Sequence, residues 1–572
     1  MTIPPSYSKS KGLREPYPST FAITSVKYLL TICKAMPDAR FSFAEHYHER
    51  TKYEPATLAR KSQGLDWSTQ PSPYKDYKIG TVYDLKPYLT ENIQSDRDGL
   101  LASRWRRLSR LLFCSYGLTA RVPTMSGETL YLRSAPSAGG LYPAELYIIS
   151  AGTPLLSAGI YNYQPRTHSL IHFWQDNHVW AGLQQACFSH PVLQNTRMAI
   201  AITSVFYRSA WRYQDRAYRR IFLDTGHLLG NIELASAIED YQVSLIGGFA
   251  DQAVNELLFL DQEVEGAIAI MPVLDLQDEE RIGRGQESCE PMMRSQTMSR
   301  GLMTALPSTT VTSYPQLPDG ELLGYLHQAT HIPEQPNMQK LWEQLDGKTL
   351  EDTDQVSEQE LDKYNFPFCT KVGTATESIH WGDDLELLEN TILQRRSTRE
   401  YSGMKLELAE LKAILDFTYQ PQHYTDQGID GSPDYFDLSL IETFVAVTGV
   451  EDLEEGCYYY APKSQELRQI RFKNFRDELH YLCLGQELGR DAGAVIFHTA
   501  DLKSAVQKYG DRVYRYLHMD AGHLGQRLNI AAIGLGVGVS GIAGFFDNLV
   551  NEVLGIPNEE AVLYITTLGR PR

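Results

Sequence analysis

The chain has 572 residues, of which 42% are hydrophobic, so it is too long for one hydrophobic core and too apolar for a disordered protein. Its net charge of -18, without a basic run interleaved with aromatic residues, argues against nucleic acid as a partner. The seven cysteines are scattered without any CxxC pair, and this spacing favours a reducing, cytoplasmic compartment.

The N-terminal region has no hydrophobic run behind its basic residues, so no secretory signal is expected. Residues 20–36 carry apolar side chains at helical spacing and predict a helix that stops before Pro37. His46 and His48 have no third ligand at usable spacing, which favours an interface or surface helix over a metal site.

The segment 529–546 is long and uncharged but rich in glycine, so we expect it to form buried core rather than a membrane span.

The next region predicts one excursion, one helix and a hairpin. Residues 63–98 are rich in Pro, Tyr and Asp and predict an extended excursion. Residues 105–118 predict an amphipathic helix that ends at a glycine. A tight polar turn at 136–140 leads into a strand at 144–150, and residues 159–165 open the next hairpin.

Two stretches of the chain are copies of each other. Residues 212–258 align without a gap to residues 508–554, and 20 of the 47 positions are identical. The hairpin of the first half recurs as IETFVAV at 441–447 and GCYYYAP at 456–462. Repetition over this length indicates a duplicated domain.

The repeat divides the chain into four parts. They are an N-terminal helix and extended segment (1–98), a first domain (99–275), a linker with an acidic insertion (276–384) and a second domain (385–572). Residues 276–318 are rich in Ser, Thr, Met and Pro and predict a flexible linker. The acidic stretch at 343–364 predicts a solvated insertion, with an interaction surface as the alternative.

A basic motif opens the second domain between two helical patterns. It consists of Arg395, Arg396, Ser397, Thr398 and Arg399. Three guanidinium groups around two hydroxyls can donate several charge-assisted hydrogen bonds to one anion, and phosphate is the obvious candidate. The alternative is an ordinary solvated basic face.

Five motifs follow one another along the two halves: APSAGGLYPAELY at 135–147, RRSTR at 395–399, KYGDRVYRY at 508–516, DAGHL at 520–524 and the glycine run GLGVGVSGIAGF at 534–545. Together they resemble the nitroreductase flavoprotein superfamily and, within it, the SagB-type azoline dehydrogenases. The resemblance implies an α+β fold of two nitroreductase-like domains, each a mostly antiparallel sheet flanked by helices. It also implies FMN at the interface of an intimate dimer, where one subunit supplies RRSxR and the glycine run and the other supplies the PSxG-type loop.

The two halves differ at these motifs. The second half replaces PSAGG with Pro433, Asp434, Tyr435, Phe436 and Asp437, whose charge and bulk would hinder a dianionic cofactor. The first half replaces the glycines of 534–538 with residues 238–242, IEDYQ, and has no RRSxR motif. We therefore expect an intrachain pseudo-dimer with one intact FMN site and one decayed site.

The expected cofactor-binding residues come from three segments and the C-terminus. They are Pro136, Ser137, Ala138 and Gly139 in the loop; Arg395, Arg396, Ser397 and Arg399 in the basic motif; Ser540, Gly541, Ala543 and Gly544 facing the flavin ring; and Arg570 near the phosphate. The sequence GVGVSG at 536–541 formally matches GxGxxG, but a helical pattern precedes it, so we expect no Rossmann site.

The resemblance also implies a catalytic pair. Lys508 and Tyr509 match a Lys-Tyr pair of the azoline dehydrogenases, in which a lysine lowers the pKa of a neighbouring phenol and gives a base or proton relay. The first copy has Arg212 and Tyr213 instead, and arginine stays protonated. The alternative is a surface lysine beside a core tyrosine. A histidine occurs in DxGHL of both copies, which favours helix packing over catalysis.

The resemblance implies an FMN-dependent oxidoreductase that oxidises C–N or C–C bonds, such as azolines of a modified peptide or a related small molecule. One alternative is an NAD(P)H-dependent reductase of nitro or ene compounds. Another is a scaffold or peptide-binding subunit in which both sites have decayed. Pathway proteins as partners, and a further homodimer, stay open at this point.

Overall fold

The computed structural model describes residues 41–56, 58, 64–89, 99–123, 129–277, 304–333 and 363–572. The helix predicted over 20–36 and nearly all of the acidic insertion lie outside these residues. The helices are α1 (Phe43–Arg50), α2 (Gly99–Tyr116), α3 (Val179–Ala186), α4 (Val192–Asn195), α5 (Phe206–Tyr213), α6 (Ala217–Ile238), α7 (Asp251–Leu257), α8 (Leu322–Ala329), α9 (Glu386–Gln394), α10 (Leu408–Tyr419), α11 (Arg476–Leu482), α12 (Glu487–Asp491), α13 (Leu502–Tyr509), α14 (Val513–Gly534) and α15 (Asp547–Leu554).

Each half contains one seven-stranded sheet. The strands of the first half are β1 (Thr81–Asp84), β4 (Ala144–Ser150), β5 (Gly159–Gln164), β6 (Ser169–Gln175), β7 (Met198–Val205), β8 (Tyr241–Val243) and β9 (Glu265–Asp275), and β2 (Leu118–Pro123) pairs with β3 (Thr129–Arg133) separately. Those of the second half are β10 (Lys371–Gly373), β11 (Glu442–Val447), β12 (Gly456–Ala461), β13 (Glu466–Arg471), β14 (Ala494–Asp501), β15 (Gly538–Ile542) and β16 (Glu560–Gly569).

The two sheets have the same topology. Their orders are β1-β6-β5-β4-β7-β9-β8 and β10-β13-β12-β11-β14-β16-β15. Every described strand pair in them is antiparallel; for example, Ala144 lies opposite Ser204 in one sheet, and Glu442 opposite Thr499 in the other. The predicted strands at 144–150 and 441–447 are therefore the central strands β4 and β11, whose residues are almost all buried, as their apolar sequences require.

The repeated segment forms the centre of the molecule. Helices α6 and α14 are each 22 residues long, are buried over most of their length and pack against each other. They approach closely at Gly226 and Gly522, where a Cβ on either glycine would overlap the backbone of the opposite helix. The glycine of each DxGHL motif thus allows the two halves to pack backbone against backbone.

Two mirrored clusters of buried ion pairs join the halves. Asp547 of the second half accepts from Arg216 at 2.8 Å and from Arg219 at 2.7 Å. In the same arrangement, Arg512 and Arg515 bind Asp251 of the first half at 2.6 and 2.8 Å. The predicted α+β intrachain pseudo-dimer is confirmed.

Two connecting segments differ from expectation. The excursion predicted over 63–98 contributes a strand, β1, because its backbone pairs with the exposed edge of β6. The described end of the predicted flexible linker, 304–318, packs into the second half: Ala305 and Leu306 are buried, and the amide of Ser308 donates to the carbonyl of Tyr509. Residues distant in sequence hold this segment: Leu306 packs against Gly248, and its carbonyl accepts from the hydroxyl of Tyr516.

Two other segments behave as expected. Helix α1 lies at an interface, where the amide of Ala44 donates to Asp511 and the imidazole of His48 bonds to Tyr514. Residues 529–546 end α14 and form β15 within the core. Within the described ranges, no helix has both the length and the apolar character that crossing a membrane would need.

Candidate functional site

The structure brings the basic motif of the second half to the residues that lead into the PSAGG loop of the first. The Nε of Arg395 donates to the carbonyl of Ser134 at 2.6 Å, and Nη2 donates to the carbonyl of Arg133 at 3.3 Å. The side chain is only 3% exposed. Two segments separated by about half the chain therefore meet at one place.

Arg395 has unused binding capacity. Its Nη1 is buried and has no hydrogen-bond partner within the part of the chain that the structure describes. Burial lowers the pKa of Arg395 to about 10, so the group stays charged near neutral pH. No carboxylate of the described residues forms an ion pair with it. Because a buried charge is costly without a partner, this guanidinium suits an anionic ligand, and the phosphate of FMN fits that requirement.

Helix α6, which carries Asp224, holds the PSAGG loop in place. The carboxylate of Asp224, in α6, accepts from the hydroxyl of Ser137 at 2.6 Å and from the amide of Ala138 at 3.0 Å. Burial raises the pKa of Asp224 to about 7. Gly139 follows with a φ of 67° and is exposed, a conformation that glycine adopts without strain. The loop thus offers open backbone beside the basic motif.

The glycine run lines up on the other side of the basic motif. The amide of Thr398 donates to the carbonyl of Val539 at 2.8 Å, and the Thr398 hydroxyl accepts from the Val539 amide. Ser540 and Gly541 belong to β15, and a Cβ on Gly541 would overlap the hydroxyl of Tyr564. The run is an antiparallel strand rather than a βαβ turn, so the prediction of no Rossmann site is confirmed.

A tyrosine and two arginines of the first half close the far end of this site. The hydroxyl of Tyr213 would lie 2.7 Å from a Cβ on Gly139, and Nη1 of Arg212 would lie 3.3 Å from it. The guanidinium of Arg220 lies 3.8 Å from the centre of the Tyr213 ring. Its Nη2 would lie 3.7 Å from a Cβ on Gly544. The loop, the glycine run and these side chains therefore surround one site, which we call the first site.

The equivalent place in the other half is filled. We call it the second site: the loop 433–437 against residues 245–248. A Cβ on Gly247 would overlap the ring of Phe436, which stacks on Tyr516 with ring centres 4.5 Å apart. The amide of Leu245 donates to Asp434 at 2.9 Å. The aromatic and acidic residues that replace PSAGG occupy the space rather than lining it.

The end of the linker covers the second site further. The carbonyl of Thr304 accepts from the amide of Gly247 at 2.8 Å. The hydroxyl of Tyr516 donates to the carbonyl of Leu306 at 2.8 Å, and a Cβ on Gly248 would overlap the Leu306 side chain. Chain from the linker and side chains from the loop thus close the second site together.

The structure does not bring Lys508 and Tyr509 to the first site. Their side chains both bind the carboxylate of Asp437, at 2.5 Å from Lys508 and 3.1 Å from Tyr509. Asp437 belongs to the loop of the second site. The pair that lies at the first site is Arg212 and Tyr213, because each pair accompanies the loop of its own half. The sequence analysis expected Lys508 and Tyr509 to lie beside the basic motif and the glycine run of the same half. The fold shows that they lie at the other site.

The remaining predicted cofactor-binding residues differ in burial and in the partners that they already have. Pro136, Ser397 and Ala543 are half-buried, and Ser540 is buried. Arg396 donates to the carbonyl of Thr119 at 2.8 Å. Arg399 is exposed. Arg570 forms a two-point ion pair with Glu410, at 2.7 and 2.9 Å, so its charge is already compensated. Their roles toward FMN stay predictions.

Sequence reasoning missed three residues of the first site: Asp224, Arg220 and Tyr564. Asp224 is the aspartate of DxGHL, and its presence in both copies is a usable signal, but the sequence analysis interprets only the histidine of that motif. The histidine of that motif, His227, does pack between the halves, bonding to Tyr564 at 2.8 Å and Gln526 at 2.9 Å. Arg220 corresponds to Tyr516 in the repeat, a difference visible in the alignment.

Comparison with known proteins places these observations in a family. The model of the Nitroreductase family matches residues 115–273 and 392–570. A crystal structure of a protein classed as a nitroreductase, from Anabaena variabilis, is 63% identical, with a TM-score of 0.82, covering 93% of this chain and 100% of that one.

Two curated proteins match shorter parts of the chain. A protein classed as a nitroreductase from Methanocaldococcus jannaschii is 34% identical over 184 residues, 32% of this chain and 90% of that protein. The trifolitoxin-processing protein TfxB of Rhizobium leguminosarum is 31% identical over 153 residues, 26% of this chain and 40% of TfxB. The match to TfxB agrees with the SagB-type motifs, so that resemblance is confirmed. With two copies of the fold in one polypeptide, the chain belongs to the nitroreductase family.

Proposed function

We propose that this chain is an FMN-dependent oxidoreductase that binds one flavin, in the first site. The observation that carries the proposal is Arg395, a buried guanidinium that joins the basic motif to residues 133–134, just before the PSAGG loop, and keeps one nitrogen without a partner among the described residues. The second site offers no such space, because Phe436 and the segment at 304–308 occupy it.

The residues of the first site have different proposed roles toward the cofactor. FMN, when bound, supplies hydride transfer at its N5 atom. Arg395 offers charge and a free N–H to a phosphate, and Ser397 lies beside it in the motif. Asp224 fixes the loop through Ser137 and Ala138, which keeps the loop backbone in place for the cofactor.

Tyr213 is positioned to donate a proton at this site. Burial raises the pKa of its phenol, although Arg220 and Arg212 oppose the shift. The hydroxyl is therefore protonated near neutral pH and can donate a hydrogen bond or a proton beside Gly139. Arg212, next to it, holds a positive charge and does not act as a base.

For the direction of the reaction, we propose dehydrogenation of C–N or C–C bonds, with azolines of a modified peptide as the substrate class and the cytoplasm as the compartment. The supporting facts are the SagB-type motifs and the similarity to TfxB, which is named for processing trifolitoxin. NAD(P)H-driven reduction of nitro or ene compounds is the second candidate. It is favoured by Tyr213, since a protonated phenol beside an arginine is arranged to donate a proton rather than to remove one.

The decisive experiment is the flavin absorbance spectrum and stoichiometry of the purified chain. We expect one FMN per chain; two per chain would refute the one-site proposal. A colourless protein that FMN does not reconstitute would instead support a scaffold or peptide-binding subunit. The direction is then tested by stopped-flow mixing with NADPH. Flavin bleaching far above background selects the reductase, whereas reduction of the flavin by a cyclised azoline peptide selects the dehydrogenase.

A further inference from the structure

The first site contains two guanidinium groups without an acidic partner, Arg212 and Arg220. Arg220 is 5% exposed, and its Nη1 is buried without a hydrogen-bond partner among the residues that the structure describes. Neither arginine forms an ion pair within those same residues. They flank Tyr213, since the Arg220 guanidinium lies over its ring and Arg212 lies beside its hydroxyl.

Asp224, which lies near Arg220, and Asp547 are already engaged by other donors. Asp224 accepts from the loop at Ser137 and Ala138. Asp547 lies between Arg216 and Arg219, which bind both of its oxygens. Burying an uncompensated charge is costly, so this arrangement is suited to an anion that comes from outside the chain.

The other half shows the compensated version of the same arrangement. Lys508 stands where Arg212 stands, and it is paired with Asp437 at 2.5 Å. In the first site the residue against the tyrosine is Gly139, so that carboxylate is missing. Tyr516 stands where Arg220 stands and carries no charge. The excess positive charge is therefore a property of the first site and not of the fold.

The two arginines lie at the opposite end of the site from Arg395. Arg395 binds the carbonyl of Ser134, before the loop begins, whereas Tyr213 and Arg212 lie against the loop at Gly139. The basic motif likewise meets the glycine run at Val539, whereas Arg220 approaches it at Gly544. FMN has one phosphate, and Arg395 with Ser397 offers a place for it. A carboxylate bound at the other end would then belong to a second molecule.

Resting on the proposed function, we infer that the substrate of the first site carries a carboxylate that Arg212 and Arg220 bind beside Tyr213. The acid group fixes the orientation of the substrate next to Gly139 and Gly544, and Tyr213 stands between the two guanidinium groups at the reacting end. A carboxylate suits this place because a planar two-oxygen group can accept hydrogen bonds from the guanidinium forks.

The inference is tested by titrating benzoate into the full-length, flavin-loaded chain by isothermal titration calorimetry, with benzamide as the uncharged probe. We expect benzoate to bind and benzamide to bind at least about tenfold more weakly. Arg220→Gln and Arg212→Gln should each weaken benzoate about tenfold or more, while flavin content stays unchanged. Arg220→Lys should retain part of the affinity. Arg197→Gln, which alters an exposed arginine bonded to Gly152, is the matched control and should have no effect.

Three results would overturn the inference. They are equal binding of benzoate and benzamide, unchanged benzoate affinity in Arg212→Gln and Arg220→Gln, and loss of flavin in Arg220→Gln with unchanged benzoate affinity in Arg212→Gln. The last result would assign Arg220 to the cofactor. The same titration on flavin-free chain separates the two proposals, because a chain that never binds FMN but still binds benzoate through these arginines contradicts only the proposed function.

Discussion

The first and second sites are built on the same scaffold but are used differently. In the first, Asp224 holds the PSAGG loop through the amide of Ala138; in the second, Asp520 holds the other loop through the amides of Phe436 and Asp437. Burial raises the pKa of both aspartates to about 7. The helix, the aspartate and the loop position are thus kept in both halves.

The difference lies in what fills the space above that scaffold. In the second site the ring of Phe436 occupies the position above Gly247, and the neighbouring Lys508 is paired with Asp437. In the first site the corresponding surface is exposed glycine, and the arginines lack acids among the described residues. A duplicated fold can therefore preserve packing in both copies while preserving ligand-binding capacity in one.

The largest expected effect tests the scaffold that both sites share. Asp251→Asn and Asp547→Asn each remove the carboxylate that pairs with two buried arginines, so each should lower the free energy of unfolding by about 3–5 kcal/mol. Urea denaturation measures the loss. Asp319→Asn breaks an exposed ion pair with Arg50 and should cost less than about 1 kcal/mol. A large cost for only one of the two buried aspartates would show that the halves do not contribute equally.

The next largest effect concerns FMN affinity, which should depend on Arg395 and not on Arg570. Arg395→Gln removes the unpaired guanidinium nitrogen and should weaken FMN binding by about 30- to 100-fold, measured by flavin fluorescence titration. Arg570→Gln is the comparison, because Glu410 already compensates Arg570; we expect less than about a threefold change. If Arg570→Gln loses more affinity than Arg395→Gln, the phosphate lies nearer the C-terminus than the geometry indicates.

Catalytic rates should depend on residues of the first site and not on those of the second. Tyr213→Phe removes the proposed proton donor and should slow oxidation of the reduced, flavin-loaded protein by a quinone acceptor about tenfold or more. Tyr509→Phe and Lys508→Ala alter the second site, where both side chains bind Asp437, and should leave this rate nearly unchanged. The opposite result, a loss in Lys508→Ala with none in Tyr213→Phe, would restore the pair predicted from sequence.

The smallest effect is a loss of stability in acid. Burial raises the pKa of Asp251 and Asp547, but their paired arginines outweigh burial and lower both values below 3.8. A lowered folded-state pKa gives stability that is present above the unfolded pKa and is lost as pH falls. The unfolding free energy should therefore decrease below about pH 4, and less so in the Asp→Asn variants. An equal acid loss in those variants would assign it to other carboxyls.

Much of the fold followed from patterns that are local along the chain. The 47-residue repeat predicted two like domains, and the apolar runs at 144–150 and 441–447 predicted central strands, because helices and strands are encoded by side-chain periodicity. The motifs also identified PSAGG and RRSTR as partners. The packed end of the linker and the edge strand β1 were not predictable in this way, since both depend on surfaces supplied by distant residues.

By itself, the sequence determined the duplication, the family resemblance and the asymmetry between PSAGG and PDYFD. Only the tertiary structure decided which pair accompanies which loop. Lys508 and Tyr509 lie in the same half as the glycine run, yet they face Asp437 across the second site, while Tyr213 reaches Gly139 in the first. The reason is physical: each site is formed by both halves across the α6–α14 interface, so closeness in sequence does not place residues in one site.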